Sequence, residues 1–235
     1  MTPQQFCAMK PYYQDSAVTI YHGDCREIIP DLPKGLVVTD PPYNVGYHYE
    51  SYHDKMERKD YENMICRVCG GQFVLIHYME DLVSLSFALA EVPAKVVAWV
   101  YPSNTARQWR GIGWWGIKPD FTKDGQEYKN PTDKRIAERI SNGEQARLYD
   151  WWEIDQVKNI GKEKTDHPCQ IPLAVMVRIL KITPAELVID PFCGSGTTLR
   201  AAKDLGKTAI GIEMDERYCE IAAMRMGQEV LALTP

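Results

Sequence analysis

Glu186 to Ile189 is a short apolar run that stops at Asp190, and Pro191-Phe192-Cys193-Gly194-Ser195-Gly196-Thr197-Thr198 follows at once. A helical stretch to about Leu205 and a second β-branched run, Thr208 to Ile212, complete the segment and deliver Glu213 at its end. Strand, glycine turn, helix and strand in so short a span have one economical arrangement: parallel strands joined by a right-handed crossover. Parallel sheets are covered by helices on both faces. A chain carrying this unit is therefore expected to be α/β with a mostly parallel sheet.

The rest of the chain repeats the alternation. Strands are expected at Ala17–Tyr21, Leu36–Val38, Gln72–His77, Lys95–Tyr101 and Asp150–Ile154. Helices are expected at Cys25–Leu32 with Asp24 as N-cap, at Tyr61–Cys69, Asp81–Ala90, Pro172–Ile182 and Glu216–Met226. With 235 residues, the chain reads as one domain, 1–235. Ser103 to Tyr149 breaks the rhythm. It has the glycine- and tryptophan-rich run Gly111 to Gly116, two turn signals and one amphipathic helix, Asp133–Ile140, and is expected to be an inserted small recognition region.

Charge supports a local role for that insert. It carries nine basic and six acidic residues, a net +3 in a chain of net −5. A basic face on an acidic body suits contact with phosphates and also suits an ordinary solvated surface. Arg107, Arg110, Trp114 and Trp115 are its candidate contact residues, the arginines for phosphates and the tryptophans as flat rings. No apolar run approaches membrane-spanning length, and Met1 to Tyr13 lacks the apolar core of a signal peptide. Seven scattered cysteines suggest reduced thiols in a cytoplasmic setting. Cys66-x-x-Cys69 has no second pair at ligand spacing, so no metal is expected.

Two loops carry the chemistry. Gly194-x-Gly196 opens a helix, where backbone without Cβ can approach a ligand closely, and Glu213 stands 19 residues on, in register to hold a ribose diol. The pattern indicates an adenosine-containing cofactor without saying which one. The second loop is Asp40-Pro41-Pro42-Tyr43, directly after Leu36–Val38. Proline ends the strand and stiffens the turn. It presents a carboxylate, a carbonyl and a flat ring, which together could grip a planar amino group. An ordinary strand-ending turn would use the same residues.

Asp40-Pro41-Pro42-Tyr43 followed by Asp190-Pro191-Phe192-Cys193-Gly194-Ser195-Gly196-Thr197-Thr198 resembles the DNA amino-methyltransferases that use S-adenosylmethionine. The catalytic loop precedes the cofactor loop, as in the circularly permuted β group. Tyr21-His22-Gly23-Asp24-Cys25, His167-Pro168-Cys169-Gln170-Ile171-Pro172 and Ile210-Gly211-Ile212-Glu213 are similar to further segments of that family. One departure is Ile171, where the family usually has Lys.

The resemblance implies a Rossmann-like class I fold with a seven-stranded sheet. It implies adenine-N6 methylation of double-stranded DNA with base flipping, in a restriction-modification setting, by a homodimer or with a partner subunit. Asp40, Pro41, Pro42 and Tyr43 would be catalytic, with Tyr43 stacking on the flipped base. Asp24, Cys25, Asp40, His167, Pro168, Asp190, Phe192, Cys193, Gly194, Ser195, Gly196, Thr197 and Glu213 would hold the cofactor. Adenine is favoured because cytosine-N4 enzymes of this group more often have Ser at the Asp40 position. Cytosine-N4 methylation, or methylation of RNA or a protein amide, are the alternatives.

Overall fold

The computed structural model describes residues 9–47, 54–104, 106–158, 161 and 163–228. Residues 1–8, with Cys7, and residues 48–53 lie outside the described residues.

The strands are β1 (Tyr13–Gln14), β2 (Val18–His22), β3 (Leu36–Thr39), β4 (Phe73–His77), β5 (Lys95–Val100), β6 (Trp109–Trp115), β7 (Gly125–Gln126), β8 (Ala146–Arg147), β9 (Trp151–Glu153), β10 (Leu187–Asp190) and β11 (Thr208–Glu213). The helices are α1 (Cys25–Ile28), α2 (Arg58–Val68), α3 (Met79–Leu89), α4 (Lys134–Ser141), α5 (Leu173–Ile182), α6 (Thr197–Asp204) and α7 (Glu216–Gly227). Among the described residues nine strands form one sheet, in the order β1-β2-β11-β10-β3-β4-β6-β5-β9. Six of the seven expected strands (β2, β3, β4, β5, β10 and β11) form its body together with β6, which was expected to lie in the insert; the seventh expected strand, the three-residue β9, and the two-residue β1 lie at its edges. From β2 to β4 all pairs are parallel, and β6 runs antiparallel to both its neighbours.

The strand alternation explains the layers. Val38, Val74, Ile76 and Val188 pack on one face with α5, α6 and α7. Val37, Leu75 and Ile189 pack on the other with α1, α2 and α3. The chain leaves β10 toward β11 on one side, and leaves β3 toward β4 on the other. Adjacent β10 and β3 therefore send their following loops apart, opening a crevice at their C-terminal ends, where open α/β sheets bind ligands.

Three expectations need correction. The helix expected over Cys25–Leu32 ends at Ile28 and continues as a 3-10 turn, Ile29–Asp31, because Pro30 has no N–H to carry the helical ladder. Gly111 to Trp115 is not part of a separate insert: it is the interior of β6, paired with β4 and β5. A Cβ at Gly111 would lie 2.5 Å from Leu82, and one at Gly113 would lie 2.4 Å from the Trp115 ring, so these glycines make room for neighbours. Only residues after β6 stand apart from the sheet, as the β7–β8 ribbon and the exposed α4, tethered where Asp124 meets Arg178 (3.3 Å) and Lys181 (3.1 Å) of α5.

The third correction is that Trp114 and Trp115 cannot touch DNA. Both are completely buried. Trp114 donates to Thr183 Oγ1 at 2.9 Å, and Trp115 stacks on Phe73 at 4.8 Å. Trp114→Ala is expected to cost about 3–5 kcal/mol in urea unfolding, the loss typical of a large core aromatic. A change within about 0.5 kcal/mol, normal for a surface site, would refute the core placement.

No helix among the described residues is long and apolar enough to cross a membrane.

Candidate active site

β3 stops at Thr39 because Pro41 and Pro42 cannot continue its hydrogen bonding. The loop that follows is braced from below. Tyr61 of α2 donates its hydroxyl to the Pro42 carbonyl at 2.8 Å and lies 2.8 Å from His77 Nε2. His77, completely buried, accepts the Tyr78 N–H on Nδ1 at 2.8 Å. The Tyr61 hydroxyl and His77 Nε2 form one hydrogen bond, and burial lowers the imidazole pKa, opposed by Asp81. The Asp81 carboxylate, 3.1 Å from Nδ1, is held by Arg58 at 3.0 Å. Tyr43 stacks on His77, with ring centres 4.2 Å apart and planes at 23°. Among the described residues nothing bonds the Pro41 carbonyl, and Pro41 lines the pocket that joins the two loops.

Beyond Tyr43, Asn44 takes the left-handed conformation (φ 57°). Buried Asp54 clamps the turn by accepting from Asn44 N (2.8 Å), Val45 N (3.2 Å) and Tyr47 N (3.0 Å). This carboxylate replaces water for three backbone donors.

Asp40 is 14% exposed at its side chain. One carboxylate oxygen accepts the Tyr43 hydroxyl; the other lies 3.9 Å from Arg110 Nη1. Burial pushes its pKa up to about 6, opposed by Arg110 and by the Tyr43 hydrogen bond.

The glycine loop closes the opposite wall. Gly194 (φ 49°) and Gly196 (φ 77°) sit in the region that favours glycine. A Cβ at Gly194 would meet His167 Nε2 at 2.8 Å, and one at Gly196 would meet Ala222 Cβ at 2.9 Å. Arg225 of α7 pins the loop, donating to Ser195 O (2.7 Å) and Thr197 Oγ1 (3.1 Å). Glu213, at the end of β11, accepts Gly194 N at 2.9 Å on one oxygen and Asp215 N at 2.8 Å on the other. Burial raises its pKa, while those backbone donors hold it down. His167 packs edge-on against Tyr218 at 4.5 Å with a buried, unpartnered Nδ1; burial, then Lys164 and Arg225, push its pKa down to about 4. Asp24 caps α1 through Arg26 N (2.9 Å) and pairs with the Arg26 guanidinium, which holds its pKa down.

One pocket joins the two loops. Asp24, Cys25, Asp40, Pro41, Pro42, Tyr43, His167, Phe192, Gly194 and Glu213 all line it. Asp190, Cys193, Ser195, Gly196 and Thr197 are buried behind this wall. Asp190 acts as a brace, accepting Thr39 Oγ1 (2.6 Å) and Phe192 N (3.2 Å), and its burial pushes the pKa up to about 6. Pro168 is exposed and away from the pocket. Arg107 is exposed at the rim, over the Tyr78 ring at 3.9 Å and 3.8 Å from Glu80. Arg110, expected at a DNA-facing surface, instead lines the pocket beside Asp40.

Sequence reasoning missed Tyr61, His77, Asp54 and Arg225, whose partners lie far away in sequence. It also missed Tyr78, Met214 and Tyr218 on the pocket wall. Among the described residues Cys25, Cys66, Cys69, Cys169, Cys193 and Cys219 form no disulfide, and no group of side chains could hold a metal ion.

Known proteins resemble this chain in sequence and in fold. The chain is 30% identical to the type II methyltransferase M.ScaI of Streptomyces caespitosus, over 95% of this chain and 86% of that one. In fold it is similar to the PvuII DNA methyltransferase, described as cytosine-N4-specific, with a TM-score of 0.69, 19% identity, and coverage of 97% and 92% of the two chains. M1.HpyAVI, solved as a complex with SAM, matches with a TM-score of 0.59 and 26% identity, covering 88% of this chain and 99% of its own. The model of the DNA methylase family, whose members modify amino nitrogens N6 or N4, matches residues 92–224. With Asp40-Pro41-Pro42-Tyr43 and the Gly194 loop facing one pocket, the chain belongs to this DNA methylase family.

Proposed function

We propose that this DNA methyltransferase acts on the N6 amino group of adenine in double-stranded DNA, with S-adenosylmethionine as methyl donor. The observation that carries it is the placement of Asp40 and Pro41 on the same pocket as Gly194 and Glu213.

The residues present suit an adenosine-bearing cofactor. Gly194 brings backbone without a side chain to the pocket wall, Phe192, Ile212 and Met214 offer apolar walls, and Glu213 offers carboxylate lone pairs for a ribose diol. Asp24 and His167 would flank its two ends. Bound S-adenosylmethionine supplies an electrophilic methyl on a sulfonium, which departs as the neutral thioether of S-adenosylhomocysteine.

The chain's own groups prepare the nucleophile. An exocyclic amine is weak because its lone pair is delocalised into the ring. Asp40 accepts one N–H and the Pro41 carbonyl the other, turning the lone pair toward the methyl group. The N–C bond forms as the S–C bond breaks, and the proton released from nitrogen passes to Asp40 and then to water. Orientation and fixed electrostatics supply most of the acceleration. The entering amine displaces the Tyr43 hydroxyl from Asp40. The base reaches this depth by leaving the duplex, with the Tyr43 ring for stacking. Arg107 at the rim and the basic stretch bearing Arg135, Arg139 and Arg147 would meet phosphates. Such work, with free thiols, fits the bacterial cytoplasm.

Ionised Asp40 is the stronger acceptor and the form that can take the amine's proton. The single-turnover rate is therefore expected to rise with pH through about 6 and then level off. Because its folded pKa is raised, the folded state holds this proton more tightly than the unfolded chain. The contribution of Asp40 to stability accordingly falls as pH rises from about 4 to about 6. A rate independent of pH between 5 and 8 would remove Asp40 from the amine.

Cytosine-N4 is the second reading, favoured by the fold likeness to the PvuII enzyme. Sequencing of modified bases in DNA from cells expressing the chain separates the two. N6-methyladenine in a fixed sequence context is expected; N4-methylcytosine in its place would transfer the assignment to cytosine.

A further inference from the structure

Arg110 is an unusual residue to find where it is. β6 places it opposite Trp99 of β5, one position from the Gly111–His77 pair that joins β6 to β4. Its side chain is 15% exposed and lines the pocket beside Asp40. Aromatic rings surround the guanidinium, with Tyr43 at 5.0 Å, Trp99 at 5.4 Å and Tyr101 at 5.9 Å. It donates to the Tyr101 hydroxyl. Its counter-charge is Asp40, at 3.9 Å, beyond hydrogen-bond length. Nε is buried with no partner.

Burying a guanidinium is costly unless its donors are used. This one has five donors and an incomplete set of acceptors. Loose pairing inside a ligand pocket points to an acceptor that arrives with the ligand. The group that must come to Asp40 is an amine on an aromatic ring, and in adenine a ring nitrogen with a free lone pair sits on each side of the amine-bearing carbon. An acceptor (Asp40) beside a donor (Arg110) matches that edge. It mismatches a base with a carbonyl at the same place, which would set two acceptors against each other. The logic is that of a side-chain amide reading an adenine edge.

We infer that Arg110 is a second reader of the target base, donating to the ring nitrogen beside the amine that Asp40 and the Pro41 carbonyl hold. The inference rests on the proposed action on an amino-bearing base. The same charge holds Asp40 in its ionised form, so one residue selects the base and keeps the acceptor ready. Lys could supply the charge but not the planar fork.

A chemical cycle tests this. The substrate is a duplex carrying the sequence found by modified-base sequencing, with the target adenine intact or replaced by 1-deazaadenine or 7-deazaadenine. Single-turnover methylation is compared for the wild type, Arg110→Met and Arg110→Lys, with binding of S-adenosylmethionine as the check on folding. One of the two analogues is expected to slow the wild type by about 10- to 100-fold. Arg110→Met is expected to be slowed about as much on adenine itself, with less than about twofold further loss on that analogue. Arg110→Lys is expected to show an intermediate penalty, and it carries the cycle alone if Arg110→Met no longer binds the cofactor.

Equal penalties in wild type and variants, or wild-type rates unaffected by either analogue, would overturn the inference while leaving adenine methylation standing. Absence of wild-type transfer to any base in DNA would overturn the proposed function and this inference together. Transfer to cytosine would move the same cycle to 3-deazacytosine, where the outcomes have the same meaning.

Discussion

Asp40→Ala is expected to lower single-turnover methyl transfer by about 10²- to 10³-fold or more, the loss typical of a preorganised group that acts on the reacting atom. Binding of S-adenosylmethionine is expected to stay within about twofold, because the carboxylate contacts no residue of the glycine loop. Its partners are Tyr43 and Arg110. Two consequences of the deletion act together. The amine loses one acceptor, and Arg110 loses its nearest counter-charge in a mostly buried setting. Asp40→Asn separates them. It keeps an acceptor oxygen but removes the charge, so its rate is expected to fall between wild type and Asp40→Ala and to lose the rise near pH 6. Titration calorimetry with the cofactor and rapid-quench methylation measure the two quantities. Wild-type rates in Asp40→Ala would end the mechanism.

Glu213→Ala is expected to act on the other half of the site. Each Glu213 oxygen accepts a backbone N–H, from Gly194 and from Asp215. Removing the carboxylate strips the ribose site and loosens the loop that carries it. Loss of hydrogen bonds to a charged group, about 1.5–3 kcal/mol, corresponds to a fall in cofactor affinity of about 10- to 100-fold. Two buried donors left without partners add about 1–3 kcal/mol each to the stability loss. Glu213→Gln keeps an acceptor for one of them and is expected to be milder in both respects. Calorimetric binding of S-adenosylmethionine and urea unfolding report the effects separately. Cofactor affinity unchanged in Glu213→Ala would show that Glu213 only braces the loop.

The parts of the molecule legible from sequence are those whose physics is local. Leu187–Asp190, Gly194, Thr197–Asp204 and Thr208–Glu213 form a βαβ unit whose periodicity, glycines and strand ends are contiguous. Parallel strands share one rim, so Asp40 and Asp190, both at strand ends, are expected on the same rim; that β3 and β10 are neighbours is seen only in the fold. The chain order conceals only that β10 and β11, late in sequence, occupy the middle of the sheet.

What escaped detection depends on partners distant in sequence. Trp109–Trp115 carries glycines and tryptophans that suggest a loop with a sticky surface. The reason for those glycines is Leu82 and the Trp115 ring, and no local pattern announces either. Arg110 resembles a surface arginine until β6 is seen to carry it to Asp40. Asp54, ten residues after Asn44, clamps the catalytic turn without any spacing rule to mark it. Tyr61 and His77 lie on amphipathic or apolar stretches, where a hydroxyl and a ring nitrogen look incidental. Only their chain of bonds to the Pro42 carbonyl gives them a role. Pro30, by contrast, is a local signal that limits the helix starting at Cys25.

The most direct measurement is transfer of isotope-labelled methyl from S-adenosylmethionine to duplex DNA by the purified protein, followed by nucleoside mass spectrometry. Label in N6-methyladenine with the wild type, and its absence with Asp40→Ala, is the expected result. Label in N4-methylcytosine, or in no nucleoside at all, would contradict the assignment of the pocket to adenine.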